Sequence, residues 1–382
     1  MPTPVKMQHI YIEPTSHCNL NCEMCSRKQW KNETIGHMNL DVFEKLLSEI
    51  PSSVTKVTFG GIGEPLVHPN IKYMIAKVKS LGLSVEIITN GILLTEDMSK
   101  SLVDSQINTI WISIDSLDSN EYSSIRIGGD IYTVFRNIKG YNRARDHYTL
   151  RSADSYDQIH AQCKLGISFI LMKKNLSSFK SLVEKAYFYG IDEIKATHLI
   201  PYDEESEEQV CYRRLLDAGL YGKHKASVPH VDLPLLEVRA QEGSNLFSLF
   251  DSPLSTFSIL GDKLERNYRY CRFVNEGCAF VRWDGVVSPC MALLHDNQVY
   301  QNRKIRKISH CGFGNINDMS LEEIYDSIEY SEFRGRVIDF SFSHCVDCAS
   351  CDLFLDNQTD CSGNIFPTCG GCLWSEGLFQ CP

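Results

Sequence analysis

The sequence predicts an α/β protein: an open, partial TIM-like (β/α)6 barrel followed by a small C-terminal domain built around cysteines. Three observations predict it. Short β-rich runs alternate with helix-period segments through about the first 200 residues. Each helical segment carries a single apolar stripe. Eleven of the 16 cysteines fall between Cys271 and Cys381. A closed βα barrel needs eight units, so six leave an open wall whose chemistry belongs at the C-terminal ends of the strands.

The strand runs are His9–Thr15, Val54–Gly60, Ser84–Thr89, Asn108–Asp115, Leu165–Leu171 and Glu193–Ile200. Between the first two, Phe43, Leu46, Leu47 and Ile50 share one helix face. Ile71, Met74, Ile75 and Val78 do the same in the next helix, and Gly82 supplies the left-handed residue that ends it. Thr95 is an N-cap for a third helix. Phe179, Leu182, Val183 and Ala186 line a later one, closed by Gly190. Such alternation implies parallel strands with right-handed crossovers. The organisation expected is a barrel over 1–201, a bridge over 202–270 and a C-terminal domain over 271–382, the last held by metal more than by a core. The acidic run 203–208 reads as a solvated loop.

Composition narrows the class. The chain has 382 residues and a net charge of −10, from 38 Lys plus Arg against 48 Asp plus Glu. That balance attracts no nucleic acid. No run approaches the roughly 18 apolar residues of a membrane span, and residues 1–17 have no signal-peptide pattern. A cytoplasmic location is expected, where clustered cysteines bind metal or do redox chemistry more often than they form disulfides.

The strand ends carry the chemistry. Cys18, Cys22 and Cys25 follow the first strand in a Cys-x3-Cys-x2-Cys run. Three thiolates can hold a four-iron cluster and leave one iron open, whereas zinc would prefer two spaced pairs. Gly60-Gly61-Ile62-Gly63-Glu64-Pro65 ends the second strand, with bare backbone for a ligand and, in Glu64, an acceptor for an ammonium group. Asn90 after the third strand, and Ser113 and Asp115 at the fourth, add polar groups suited to ribose hydroxyls and carboxylates.

In this order and placement, the motifs resemble those of the radical S-adenosylmethionine enzymes. The resemblance covers roughly residues 7–200. It implies a [4Fe-4S] cluster on Cys18, Cys22 and Cys25, with the methionine amino and carboxylate groups of S-adenosylmethionine on the open iron. Gly61, Gly63 and Glu64 would meet the amino group, and Asn90, Ser113 and Asp115 the carboxylate or ribose. Met24 stands where the family usually places an aromatic residue against the adenine, which implies altered packing. The implied chemistry is one-electron cleavage of the carbon–sulfur bond to a 5′-deoxyadenosyl radical, which abstracts a substrate hydrogen.

The C-terminal cysteines resemble the SPASM extension, which carries two auxiliary four-iron clusters. Thirteen residues separate Cys271 from Gly285 and four separate that glycine from Cys290. Then come Cys345-x2-Cys348-x2-Cys351, Cys361, Cys369, Cys372 and Cys381. The gaps before the third and fourth members of the second group are two and nine, where the family has five and three. The likeness implies Cys345, Cys348 and Cys351 on one cluster, closed by Cys372 or Cys381. It implies Cys271, Cys290 and Cys361 on the other, with Cys278 a further candidate. Cys369 belongs to the same ligand pool. Cys163, Cys211 and Cys311 read as inert buried thiols. Met291 replaces the acidic residue that serves as a base in sulfatase-maturing relatives, which disfavours formylglycine formation.

Further segments, among them Ser288-Pro289-Cys290, Leu294-His295 and Pro367-Thr368-Cys369-Gly370-Gly371-Cys372-Leu373-Trp374, resemble a branch of the family associated with the cofactor of tungsten-containing aldehyde ferredoxin oxidoreductases. The function implied is a maturase of such an oxidoreductase, its cofactor or an associated peptide, served by a ferredoxin or flavodoxin donor. The alternatives are a peptide maturase forming thioether or carbon–carbon crosslinks and a non-enzymatic iron–sulfur carrier. An open iron is superfluous in a carrier.

Overall fold

The computed structural model describes residues 5–30, 33–151, 163–213, 235–236, 258–259, 270–301, 303–343, 345, 351–375 and 379. Six parallel strands form the barrel wall: β1 (His9–Ile12), β2 (Lys56–Phe59), β3 (Ser84–Thr89), β4 (Thr109–Ser113), β5 (Lys164–Leu171) and β6 (Glu193–His198). They pair in chain order, each parallel to the next. The α/β partial-barrel expectation is thereby met.

Four helices form where the sequence placed them. Helix α1 (Leu40–Ser48) starts at Asn39, whose side chain accepts from the Asp41 N–H, and buries Phe43 and Leu46. All four residues of the predicted stripe in α2 (Ile71–Ser80) are buried, and Gly82 follows at φ +77°. Thr95 caps α3 (Glu96–Asp104) through the Met98 N–H. Two helices follow β4, α4 (Ser119–Ile125) and the long α5 (Ile131–Arg151). After β5, α6 (Leu176–Lys185) buries Phe179, Leu182 and Val183.

Two expectations are corrected. The acidic run is a short helix, Glu204–Glu208, because Asp203 and Ser206 cap it reciprocally. The C-terminal region is also not held by metal alone. Its strand Cys278–Val281, every residue buried, pairs parallel with β1, His9 opposite Cys278. Val286–Ser288 and Gly314–Asn315 extend that edge antiparallel. The physical reason is the apolar edge of β1, which would otherwise expose unpaired backbone groups. One continuous core therefore runs from Ile10 and Phe59 to Phe280, Leu321, Phe333 and Val337. On the far side, Ser258–Ile259 pairs parallel with β6. Within the expected bridge, Tyr212–Arg213 also pairs antiparallel with Leu235–Leu236; residues 214–234, 237–257 and 260–269, with Cys348 and Cys381, lie outside the described residues.

Candidate active site

The loop after β1 sets the site. Its half-buried thiols, Cys18, Cys22 and Cys25, are free. The loop is tied to the end of α4 by Asn21 N–H to Ile127 O, 2.9 Å, and Glu23 N–H to Ile125 O, 2.8 Å. Burial pushes all three thiols up, Cys25 to about 11, while backbone N–H groups of Leu20 and Arg27 point at Cys18 and Cys25 and oppose that shift. Donors aimed at sulfur favour the thiolate that a metal requires.

Each strand end contributes. Gly63 lies so close to the first loop that a Cβ there would fall 2.1 Å from the Thr15 carbonyl oxygen. Asn90 joins the third strand end to the cysteine loop, its Nδ2 donating to Asn19 Oδ1 at 2.8 Å and lying 4.0 Å from Cys18 Sγ. Ser113 closes β4, half-buried on the same rim. Gly61, at φ +125°, faces Glu13. Met24 is buried with Ile125, Met172 and Leu199, a small apolar patch beside Cys22.

Two expected ligand-facing carboxylates have other work. Glu64 is buried and accepts from Thr89 Oγ (2.6 Å), the Leu66 N–H (3.1 Å) and the Asn90 N–H (2.7 Å). It locks the ends of β2 and β3 together. Asp115 is 0% exposed. It accepts from the Ile170 N–H at 2.7 Å and lies 2.6 Å from Arg126 Nη2. The reason for both is desolvation: a fully buried carboxylate needs donors within the chain.

Arg126, which sequence reasoning missed, is therefore the central cation of the site. Its guanidinium bridges Asp115 and Cys22, with Nη1 3.9 Å from the sulfur. Burial opposes its charge, but Asp115 and Cys22 outweigh burial and raise its pKa. No motif announced it; the nearest signal was a lone arginine at the end of a short helix.

A second thiol group lies in the C-terminal region. Cys271, Cys290, Cys369 and Cys372 stand within electrostatic range of one another. Burial raises Cys271 to about 12 and lifts Cys290 and Cys369 well above the ordinary thiol value, and neighbouring thiols in this set add to each shift. Backbone N–H groups of Phe273 and Val274 point at Cys271, and that of Leu293 at Cys290. Cys345 and Cys351 lie nearby in sequence, buried and half-buried.

Two expected ligands are placed elsewhere. Cys361 is exposed on the turn closed by Asp360 and Asn364, with its Sγ 3.1 Å from Ser343 Oγ. The polar side chains of that turn hold it outward. Cys278 lies in the sheet, Sγ 3.9 Å from His9 Nδ1. Cys163, Cys211 and Cys311 are buried.

The donor sets suit clusters rather than single ions. Zinc–sulfur bonds of 2.3 Å bring thiolates to within about 3.8 Å of one another. Among the described residues no three thiols lie within 4.8 Å; the group that does is Glu33, Asp296 and His310 at the surface.

Residues 12–151 match the Radical SAM superfamily, and residues 271–352 match the SPASM iron-sulfur cluster-binding domain. The chain is a radical S-adenosylmethionine enzyme with a C-terminal SPASM domain, and S-adenosylmethionine and [4Fe-4S] chemistry come with that membership. Within the superfamily it is similar end to end to the tungsten-containing aldehyde ferredoxin oxidoreductase cofactor-modifying protein of Pyrococcus furiosus, 28% identical over 98% of this chain and 97% of that one. It is 34% identical to the GTP 3',8-cyclase of Clostridium botulinum over 75% of this chain and 82% of that one. Two solved structures share the fold: Streptococcus suis SuiB bound to S-adenosylmethionine (TM-score 0.60, 17% identity, 92% of this chain and 72% of that one) and anSMEcpe with bound AdoMet (0.55, 18%, 91% and 87%). No described helix is long and apolar enough to cross a membrane.

Proposed function

We propose that this enzyme is a maturase acting on a tungsten-containing aldehyde ferredoxin oxidoreductase, its cofactor or an associated peptide. The observation that carries the reading is the likeness to the Pyrococcus furiosus cofactor-modifying protein, which spans nearly all of both chains. The cyclase relative, whose name specifies a nucleotide, favours a small-molecule substrate within that set. The alternative is peptide crosslinking; the SuiB structure bound to its precursor peptide shares the fold (TM-score 0.59).

In this reading Cys18, Cys22 and Cys25 hold the catalytic cluster, and three thiolates on four irons leave one iron for S-adenosylmethionine. When bound, the cluster would supply the single electron for reductive cleavage of S-adenosylmethionine, the radical-generating chemistry of this superfamily. The chain positions and excludes water. The backbone of Gly61–Gly63 and the side chains of Asn90 and Ser113 line the rim, Met24 supplies an apolar wall, and Arg126 offsets negative charge at Cys22.

Cys271, Cys290, Cys369 and Cys372 hold one auxiliary cluster. Cys345, Cys348, Cys351 and Cys381 remain for a second, giving about twelve irons per chain. The barrel of 1–201 would cleave the cofactor and the region 271–382 would meet the substrate. A ferredoxin or flavodoxin would deliver electrons in the cytoplasm, where the free thiols stay reduced.

The test is anaerobic incubation of reconstituted enzyme with reductant, S-adenosylmethionine and the candidate oxidoreductase. 5′-Deoxyadenosine should form and the oxidoreductase or its cofactor should change mass. Deoxyadenosine without any mass change, alongside modification of a cysteine-bearing peptide, would replace the leading reading with the crosslinking one.

A further inference from the structure

The Cys369-Gly370-Gly371-Cys372 turn is closely packed on two sides. A Cβ on Gly370 would fall 1.9 Å from the Ser343 carbonyl oxygen and 3.5 Å from Cys345 Sγ. A Cβ on Gly371 would fall 2.6 Å from the guanidinium carbon of Arg306. The second glycine thus leaves room for a guanidinium against the backbone between two cysteines.

Arg306 is out of place for its type. It lies on the strand Lys304–Ile308 and is 1% exposed. One Nη donates to the Phe354 carbonyl, the guanidinium carbon sits 5.3 Å from the Phe354 ring centre, and Nε has no hydrogen-bond partner. Among the described residues no carboxylate forms an ion pair with it. Groups in electrostatic reach that can carry negative charge include the thiols of Cys345, Cys372 and Cys369, and Asp356. Burying an uncompensated cation costs several kcal/mol, and arginine does not escape by losing its proton. Thiolates at the turn, formed when those cysteines ligate iron, would compensate it.

Resting on the ligand assignment above, we propose that Arg306 is the buried counter-ion of the auxiliary cluster held at Cys369 and Cys372, and that its charge raises that cluster's reduction potential. The step concerned is the gain of one electron from an external reductant, with no bond made or broken. A fixed positive charge in a poorly screened interior favours the more negative, reduced form. Arg336 provides the contrast: it also lies within electrostatic range of Cys369, but it is half-exposed and donates to the Ile365 carbonyl.

The test uses the full chain carrying Cys18→Ala, Cys22→Ala and Cys25→Ala, anaerobically reconstituted and titrated under EPR with dithionite and mediators. The signal read is the one that Cys372→Ser abolishes. Arg306→Met should keep its iron while the reduced-to-oxidised ratio at fixed potential falls about tenfold or more, equivalent to about 59 mV for one electron. Arg306→Lys and Arg336→Met should shift it far less. An unchanged potential in iron-replete Arg306→Met overturns the proposal. If Arg306→Met binds no iron, the lysine variant decides: iron kept supports a requirement for charge, and iron lost from both overturns the proposal in favour of packing. If the parent background holds no iron, the ligand assignment itself fails, a result distinct from an unshifted potential.

Discussion

The two thiol-rich regions differ in count, burial and neighbours. The barrel loop offers three half-buried thiols at an open rim, with glycine backbone and polar side chains facing the same space. The C-terminal group offers four thiols, two of them buried and two half-buried, beneath a core shared with the barrel. A site that must bind a ligand at iron leaves a coordination position and a path to it. A site that only stores or relays electrons closes its ligand set and excludes solvent. Count and burial are the features that separate the two proposed roles.

The severest way to break this comparison is to remove the open site alone. Replacing Cys18, Cys22 and Cys25 with alanine should abolish 5′-deoxyadenosine formation in an anaerobic assay, while about two thirds of the iron remains. Deoxyadenosine from that variant would show that the open iron lies elsewhere. The reciprocal change, Cys290→Ala, should cost about four irons per chain and leave the catalytic cluster's EPR signal intact. Loss of both signals together would mean the regions are not separable.

A smaller effect sharpens the barrel side. Arg126→Met removes the partner of the fully buried Asp115. Breaking a buried pair costs about 3–5 kcal/mol, to be measured by denaturant unfolding of the apo chain. Burial already raises the Asp115 pKa, so the orphaned carboxyl should protonate readily and the penalty should be smaller at pH 5 than at pH 8. A loss under 1 kcal/mol would mean Asp115 finds other donors.

Two histidines give the regions opposite pH dependence. Burial lowers His198, at the end of β6, to about 4. The unfolded chain then binds the extra proton between about pH 6.5 and 4, so stability falls as pH drops through that window, by up to about 3 kcal/mol. In the C-terminal region, burial also works against the charge of His295, but Glu13 at 2.8 Å and then Glu33 outweigh it and raise the pKa. Its contribution is present below about pH 6.5 and is lost as pH rises through the raised value. Thermal melts across pH should show His198→Asn flattening the acid limb and His295→Gln the alkaline one. The same response in both variants would defeat the distinction.

Much of this was legible because it is local. The stripe of Ile71, Met74, Ile75 and Val78, the cap at Thr95 and the spacing of Cys18, Cys22 and Cys25 are each fixed by neighbours in sequence. The misreadings concern pairings between distant residues. Glu64 looked free because Thr89 and Asn90, which occupy it, lie a strand away. Asp115 looked ligand-facing because Arg126 belongs to no motif. The pairing of β1 with Cys278–Val281 joins residues some 270 positions apart, which no periodicity reveals. The long helix α5 escaped notice because polar residues dominate it, although Val134, Ile138 and Tyr141 are fully buried.

The smallest expected effect bears on the ligand count itself. The SPASM likeness implied Cys361 on the auxiliary cluster with Cys271 and Cys290, whereas Cys369 and Cys372 stand within electrostatic range of those two and Cys361 is exposed beside Ser343. Cys361→Ser should therefore change neither iron content nor melting temperature, since serine can keep a hydrogen bond to Ser343. Cys372→Ser should lose about four irons. If Cys361→Ser were the variant that lost iron, its turn would have to swing inward by breaking the hydrogen bonds that Asp360 makes with the Ser343, Ser362 and Asn364 backbone N–H groups. Retention of iron in Cys361→Ser together with its loss in Cys372→Ser would support the Cys369–Cys372 turn, packed tightly by its two glycines, as the source of the closing sulfurs.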